Sequence, residues 1–293
     1  MPNRLRPRLA ACAAGLGIVA LAGCSVGPVT VPTPSFLGTD TTYAQAAAAR
    51  AAERTSSVDS SELLVPGVLT VGIKSSQSAP LSIPLSDGSH SGVDVEVAYA
   101  MAEQMGLTVK FVEVGDTTAV GTTCDVVMGV AAADAGTCSV LGDYAEDCIA
   151  VFSKGGASVT STSQLSGKTI GVQAASASQK AISAAVADAT YSTYVNLNEA
   201  FAALEAGTVE YVCCGAYPGA YLAAGYDGVT IAGVLDTPVA LGVAVDTTKT
   251  TLTQAVSGAI DSVQTNGQLE VIKSRWVDGI GTLTTAQQIQ TAS

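Results

Sequence analysis

Histidine is almost missing from this chain: its 293 residues hold one, His90, in the turn SDGSHSG. A Ser-His-Asp or Cys-His triad would have to use it, and no second histidine exists for a zinc site. The seven cysteines do not fill that gap, because none stands in C-x-x-C spacing. Phosphate-cradling, dinucleotide-binding and H-E-x-x-H patterns are absent too, so neither enzymatic activity nor a metal or cofactor is expected. Positive charge is scarce. Thirteen Lys and Arg face 25 Asp and Glu, and three of the arginines precede Cys24, so the chain from Cys24 onward carries −15. That balance disfavours nucleic acid and anionic lipid surfaces as partners. It is compatible with a cationic ligand, but a solubilising surface on a secreted protein is the leading reading.

The start of the chain, MPNRLRPRLAACAAGLGIVALAGC, sets Arg4, Arg6 and Arg8 before an apolar run from Leu9 to Gly23. Fifteen residues fall short of the roughly 20 that a bilayer core needs, so residues 1–23 read as a secretory signal. The ending LAGC resembles a bacterial lipobox, which implies lipidation of Cys24 and a chain anchored outside the cytoplasmic membrane, where disulfides form. Residues 24–62 combine prolines, Ser/Thr and an alanine-rich piece without amphipathic pattern. They read as a flexible tether with at most a marginal helix over 43–54.

From Leu63 the texture changes. Val/Ile-rich strands are expected at 68–74, 108–114, 124–130, 148–153, 169–173, 209–214 and 239–245, and helices at 92–106, 177–187, 198–206, 251–265 and 267–276. In the first helix Val95, Ala98, Tyr99, Ala102 and Met105 share a face, and Asp94 sits in the first turn, where the helix dipole favours a carboxylate. Alternation of this kind predicts an α/β class with mostly parallel sheets covered on both faces. Successive strand residues point to opposite faces, so the adjacent Cys213 and Cys214 do not bond each other and core packing is expected of at least one. A Cys138–Cys148 disulfide closing an 11-residue loop is the leading pairing, with Cys124 a rival partner for either and free buried thiols as the alternative.

The segments GVLTVGIK, DGSHSGVDVEVAYAMAEQMGLTVKFVEV, CDVVMG, LSGKTIGVQAASAS, AFAALEAGTVEYV and LTQAVSGAIDSVQTNGQLEVIKSRWV follow one another over residues 63–277. Their order and spacing resemble the extracellular solute-binding proteins of ABC importers, in particular the family that includes the polar amino acid receptors. The resemblance implies a two-lobed periplasmic-binding-protein-like fold (type II), each lobe a mostly parallel sheet flanked by helices. Lobe 1 would take residues 63–148 and 239–283, lobe 2 residues 149–238, with a tail over 284–293. A small-molecule ligand would lie between the lobes, hinge closure would follow, and a monomer would deliver the ligand to an ABC permease.

The family's ligand-binding chemistry is not repeated. The arginine that grips the ligand carboxylate falls in the stretch VAAADAGTCSV, which includes Ala131, and its position is near Gly136. No arginine occurs between Arg54 and Arg275. The Asp that meets the ligand ammonium is replaced by Gly215, and the paired aromatics by Ser78 and Leu81. Ordinary α-amino acid recognition is therefore not expected. What remains is the loop Ser75, Ser76, Gln77 and Ser78, as ligand contacts or a plain polar loop. Ser176 and Ser178 stand at a helix start, as an anion or carbonyl-oxygen site or a simple cap. Asp143 and Tyr144 lie near the first crossing between lobes, in the cleft or on a solvated loop. Asp125 matches a scaffold position. The rival readings are a sensory or interaction module on the same scaffold, or a hydrolase or dehydratase.

Overall fold

The computed structural model describes residues 43–277 and 280–291; Cys24, the signal segment and the first half of the expected tether lie outside the described residues. The second half is not free. Tyr43–Ala52 form a helix, α1, laid along α2 (Val93–Met105). Ala47 and Ala51 are buried in that contact, and Arg50 Nε reaches Glu103 at 2.8 Å. The expectation of a tether to residue 62 is thus corrected: a face built of alanine lets two helices approach closely but leaves no pattern of large apolar residues to read. Beyond α1, Asp59 caps a turn over Ser60–Glu62, and Glu62 accepts from Leu252 N and Thr251 Oγ1, each at 2.9 Å.

The chain then builds β1 (Val68–Lys74), a short hairpin of β2 (Ile83–Pro84) and β3 (His90–Ser91), α2, β4 (Thr108–Val114), β5 (Val126–Ala131) and β6 (Ser139–Asp147). It crosses into β7 (Ile149–Lys154) and continues through β8 (Thr169–Gln173), α3 (Ala177–Ala185), β9 (Thr190–Tyr194), α4 (Leu197–Glu205), β10 (Tyr211–Gly215), α5 (Ala216–Ala223) and β11 (Val229–Val234). It returns as β12 (Val239–Val245), followed by α6 (Thr250–Thr265) and α7 (Gln268–Val277). One sheet has the order β4-β1-β5-β12-β6, the other β11-β7-β10-β8-β9. β12 is antiparallel to its neighbours in the first sheet and β7 in the second; the other pairings within the two sheets are parallel. The two crossings are tied together: Asp236 Oδ1 accepts from Ile149 N at 2.6 Å, and Leu235 N donates to Ile149 O at 2.7 Å.

β5 is buried at every position, as a continuous apolar run covered on both faces should be. β6 is different. Its register against β12 shifts beside Gly142, whose φ is +63° and where a Cβ would stand 2.5 Å from Ile260. That bulge breaks the two-residue alternation, which is why SVLGDYAED does not read as a strand.

β6 also overturns the expected disulfide. Cys138 and Cys148 flank its nine residues, and at about 3.3 Å per residue their separation is roughly 30 Å, far beyond the limit of about 7 Å for a bridge. The five cysteines among the described residues, Cys124, Cys138, Cys148, Cys213 and Cys214, are all free. Cys213 and Cys214 face opposite sides of β10 and join different core clusters, so they serve as small apolar side chains.

Candidate functional site

The loop after β1 is held from below by a buried polar cluster. Asp94, in the first turn of α2, is fully buried. It accepts from Tyr144 O–H at 2.7 Å and from Gln77 Nε2 at 2.9 Å. Burial pushes its carboxyl up to about 6, against the two hydrogen bonds and the charge of Lys74. Burial, then the neighbouring carboxylate, raises the Tyr144 hydroxyl far above its usual range. Gly129 makes room for the cluster: a Cβ there would stand 2.1 Å from Gln77 Nε2, and its φ of +65° also favours glycine.

Above this cluster lies a cavity of about 310 Å³ between the two sheets. The first lobe lines it with Ser78, Leu81, Glu146 and Asp147, the second with Gln173, Ser176, Ser178, Cys214, Gly215 and Tyr217. Gln173, Gly215 and Asp147 end β8, β10 and β6, so the cavity opens at the carboxyl ends of strands, where α/β crevices hold ligands. A larger hollow of about 620 Å³ beside the β2–β3 hairpin, with Ser89, His90, Tyr99 and Glu113 among its lining, and a smaller one of about 250 Å³ against α1 draw no residue from the second lobe. His90 lines the hairpin hollow, with Nδ1 3.3 Å from Ser82 Oγ and Nε2 3.9 Å from Glu113, away from the interlobe cavity.

Glu146 ties the cavity wall across the lobes. Its Oε2 accepts from Tyr217 O–H at 3.1 Å and from Lys273 Nζ, on α7, at 3.2 Å. Asp147 keeps an exposed surface, yet burial of its carboxyl and the charge of Asp236 raise its pKa against Lys74. On the opposite wall Ser176 caps α3, its Oγ accepting from Gln179 N at 3.0 Å. The preceding Ala175 holds φ +59°, in the left-handed region that favours glycine, and its N–H donates to Gln179 Oε1 at 2.7 Å.

Of the residues singled out from sequence, Ser78, Leu81, Ser176, Ser178 and Gly215 line this cavity. The others are placed elsewhere. Tyr144 and Gln77 are turned inward onto Asp94. Ala131 belongs to the core, and Gly136 sits against Thr117, where a Cβ would be 3.2 Å from Oγ1. Ser76 is exposed on the loop and does not line the cavity. Asp125 accepts from Leu64 N and Thr70 N at 2.9 and 2.7 Å, a scaffold contact. Glu146, Asp147, Gln173 and Tyr217 went unread. Two adjacent acids at the first crossing were the available signal, obscured because β6 did not read as a strand.

No family model matches the chain, and no curated protein matches it. Solved structures do. The chain is similar to a polar amino acid ABC uptake transporter substrate binding protein from Streptococcus thermophilus, with a TM-score of 0.63 and 20% identity over 72% of this chain and 86% of that one. It is similar also to the L-cystine solute receptor of Neisseria gonorrhoeae in its unliganded open conformation, at 0.61 and 20% over 74% and 96%. An ancestral cationic amino acid solute binding protein matches at 0.60 and 22% over 72% and 96%. The chain has the two-lobed solute-binding-protein fold. At such identities the likeness is one of fold, and the cavity between its sheets lies in the interlobe cleft of that fold. Among the described residues no helix is long and apolar enough to cross a membrane, and no group of three or more His, Cys, Asp or Glu is placed to hold a metal.

Proposed function

We propose that the chain is an extracytoplasmic solute receptor, anchored through lipidated Cys24, that closes its lobes over a small polar ligand and delivers it to an ABC permease. The observation that carries this reading is the cavity between the sheets, into which both lobes contribute polar groups at strand ends. The fold shared with solute-binding proteins supports it. No Lys or Arg lines the cavity, so the carboxylate of an α-amino acid has no cationic partner there. Common free amino acids therefore bind only weakly, above about 100 μM, because that carboxylate would be desolvated without compensation beside Glu146 and Asp147.

Ligand-induced thermal stabilisation tests the receptor. A solute that raises Tm in the wild type should fail to do so in Gly215→Trp, which fills the cleft; stabilisation that survives the substitution would place binding elsewhere. Mass spectrometry tests the anchor: the mature chain should start at an acylated Cys24, and Cys24→Ser should abolish acylation.

A further inference from the structure

We propose that the solute taken by this cleft is a small organic cation without a carboxylate, of the alkylammonium class, seated against Asp147. The inference rests on the receptor reading and names the ligand class of the same site.

The cavity wall contains two acids, Glu146 and Asp147, and no Lys or Arg. Glu146 is already engaged by Tyr217 and Lys273. The Asp147 carboxylate makes no hydrogen bond or ion pair among the described residues, and Asp236 adds a second negative charge beside it, with Lys74 as the nearby opposing charge. Closing two lobes over a neutral solute would leave Asp147 desolvated next to Asp236 with only Lys74, which is not part of the cavity wall, to offset it; an ammonium group supplies a positive charge at the wall itself. A ligand carboxylate would meet the same acids without an arginine to hold it. The rest of the wall suits an alkyl body. Leu81, Leu197 and Pro218 are apolar, and the Cys214 thiol, 2% exposed and without a hydrogen-bond partner among the described residues, offers a soft, polarisable surface at the cavity. The volume of about 310 Å³ lies at the small end of ligand pockets, about 300–1,000 Å³.

Isothermal titration calorimetry on the full chain in detergent micelles decides the matter. The probes are choline, tetramethylammonium and putrescine as chlorides, then glutamine, lysine and glutamate, then trehalose as a neutral polar solute. At least one carboxylate-free cation should bind with Kd below about 100 μM, and Asp147→Asn should weaken it at least about tenfold, about 1.4 kcal/mol. Asp147→Ser serves as a second variant, and Asp143→Asn, exposed on the same strand, should leave binding unchanged. Cation binding indifferent to both Asp147 variants would overturn the proposal. Tighter binding of an amino acid or of trehalose, lost in Gly215→Trp, would overturn the cation assignment while leaving the receptor intact. If none of the probes binds, the cation assignment falls, while the receptor reading is decided separately by the thermal-stabilisation test with Gly215→Trp.

Discussion

Beneath the cleft, the first lobe closes a carboxylate, a phenol and an amide on one another at Asp94, Tyr144 and Gln77. Across the cavity, the second lobe presents a serine-capped helix end and Cys214 from the buried strand β10. In the first lobe this cluster holds the fold together and is withdrawn from the cavity, although Ser78, Glu146 and Asp147 reach the wall; in the second lobe Ser176 and Ser178 stand at the wall. Similar α/β construction therefore gives one lobe whose polar interior titrates and another whose cleft face does not. The acids that reach the cavity from the first lobe come from the end of β6, at the hinge.

The largest expected effect tests that contrast through pH. Asp94 has a folded pKa of about 6, above the ordinary 3.8, so the folded chain holds a proton that the unfolded chain releases. Its stabilising contribution is fully present below about pH 4 and is lost as pH rises through about 6. Asp94→Asn should accordingly gain on the wild type, by up to about 3 kcal/mol, between pH 4 and pH 7.5 in urea unfolding. A difference that stays flat across that range would mean the carboxylate ionises as if in water.

Tyr144→Phe comes next. It removes a hydrogen bond to a buried carboxylate, and should cost about 2 kcal/mol at pH 7.5, less at pH 4.5 where Asp94 is protonated. Denaturant titration at the two pH values reads both numbers, and equal losses would count against a charge-assisted bond. In the second lobe Ser176→Ala removes the cap of α3 and should cost about 1 kcal/mol at either pH. A pH-dependent loss there would erase the contrast between the lobes. The smallest effect is a gain. Ala175→Gly relieves a left-handed backbone and should stabilise by about 0.5–1 kcal/mol in the same assay, whereas a loss would show that the alanine methyl makes a compensating contact.

The helical and strand periods of residues 68–114 and 124–130 were legible because those segments bury one stripe or both faces of large apolar side chains. Other features were not, among them β9, α5 and β11, which no expected element covered. α1 docks through alanines, which carry no apolar period. β6 is interrupted by the Gly142 bulge. The Cys138–Cys148 pairing looked feasible only because an extended strand between them was not foreseen. Within the site, Ser176 and Ser178 could be placed from a local signal, a helix start, and Gly215 from the family resemblance. Glu146 and Tyr217 could not, since they are 71 residues apart in sequence and meet only when the two lobes come together.

By itself the sequence determined the α/β class, the alternation of strands and helices, the scarcity of positive charge and the lack of any arginine between Arg54 and Arg275. All of these are local or compositional, and no distance between remote residues is needed to read them. Tertiary structure alone decided that Asp94 turns inward to Tyr144 and Gln77 rather than resting at an exposed helix start, and that Asp147 stands at the cavity with no hydrogen bond or ion pair among the described residues. Hydrogen bonding and desolvation depend on which groups share a few ångströms of space, and chain order does not specify that until the sheets have formed.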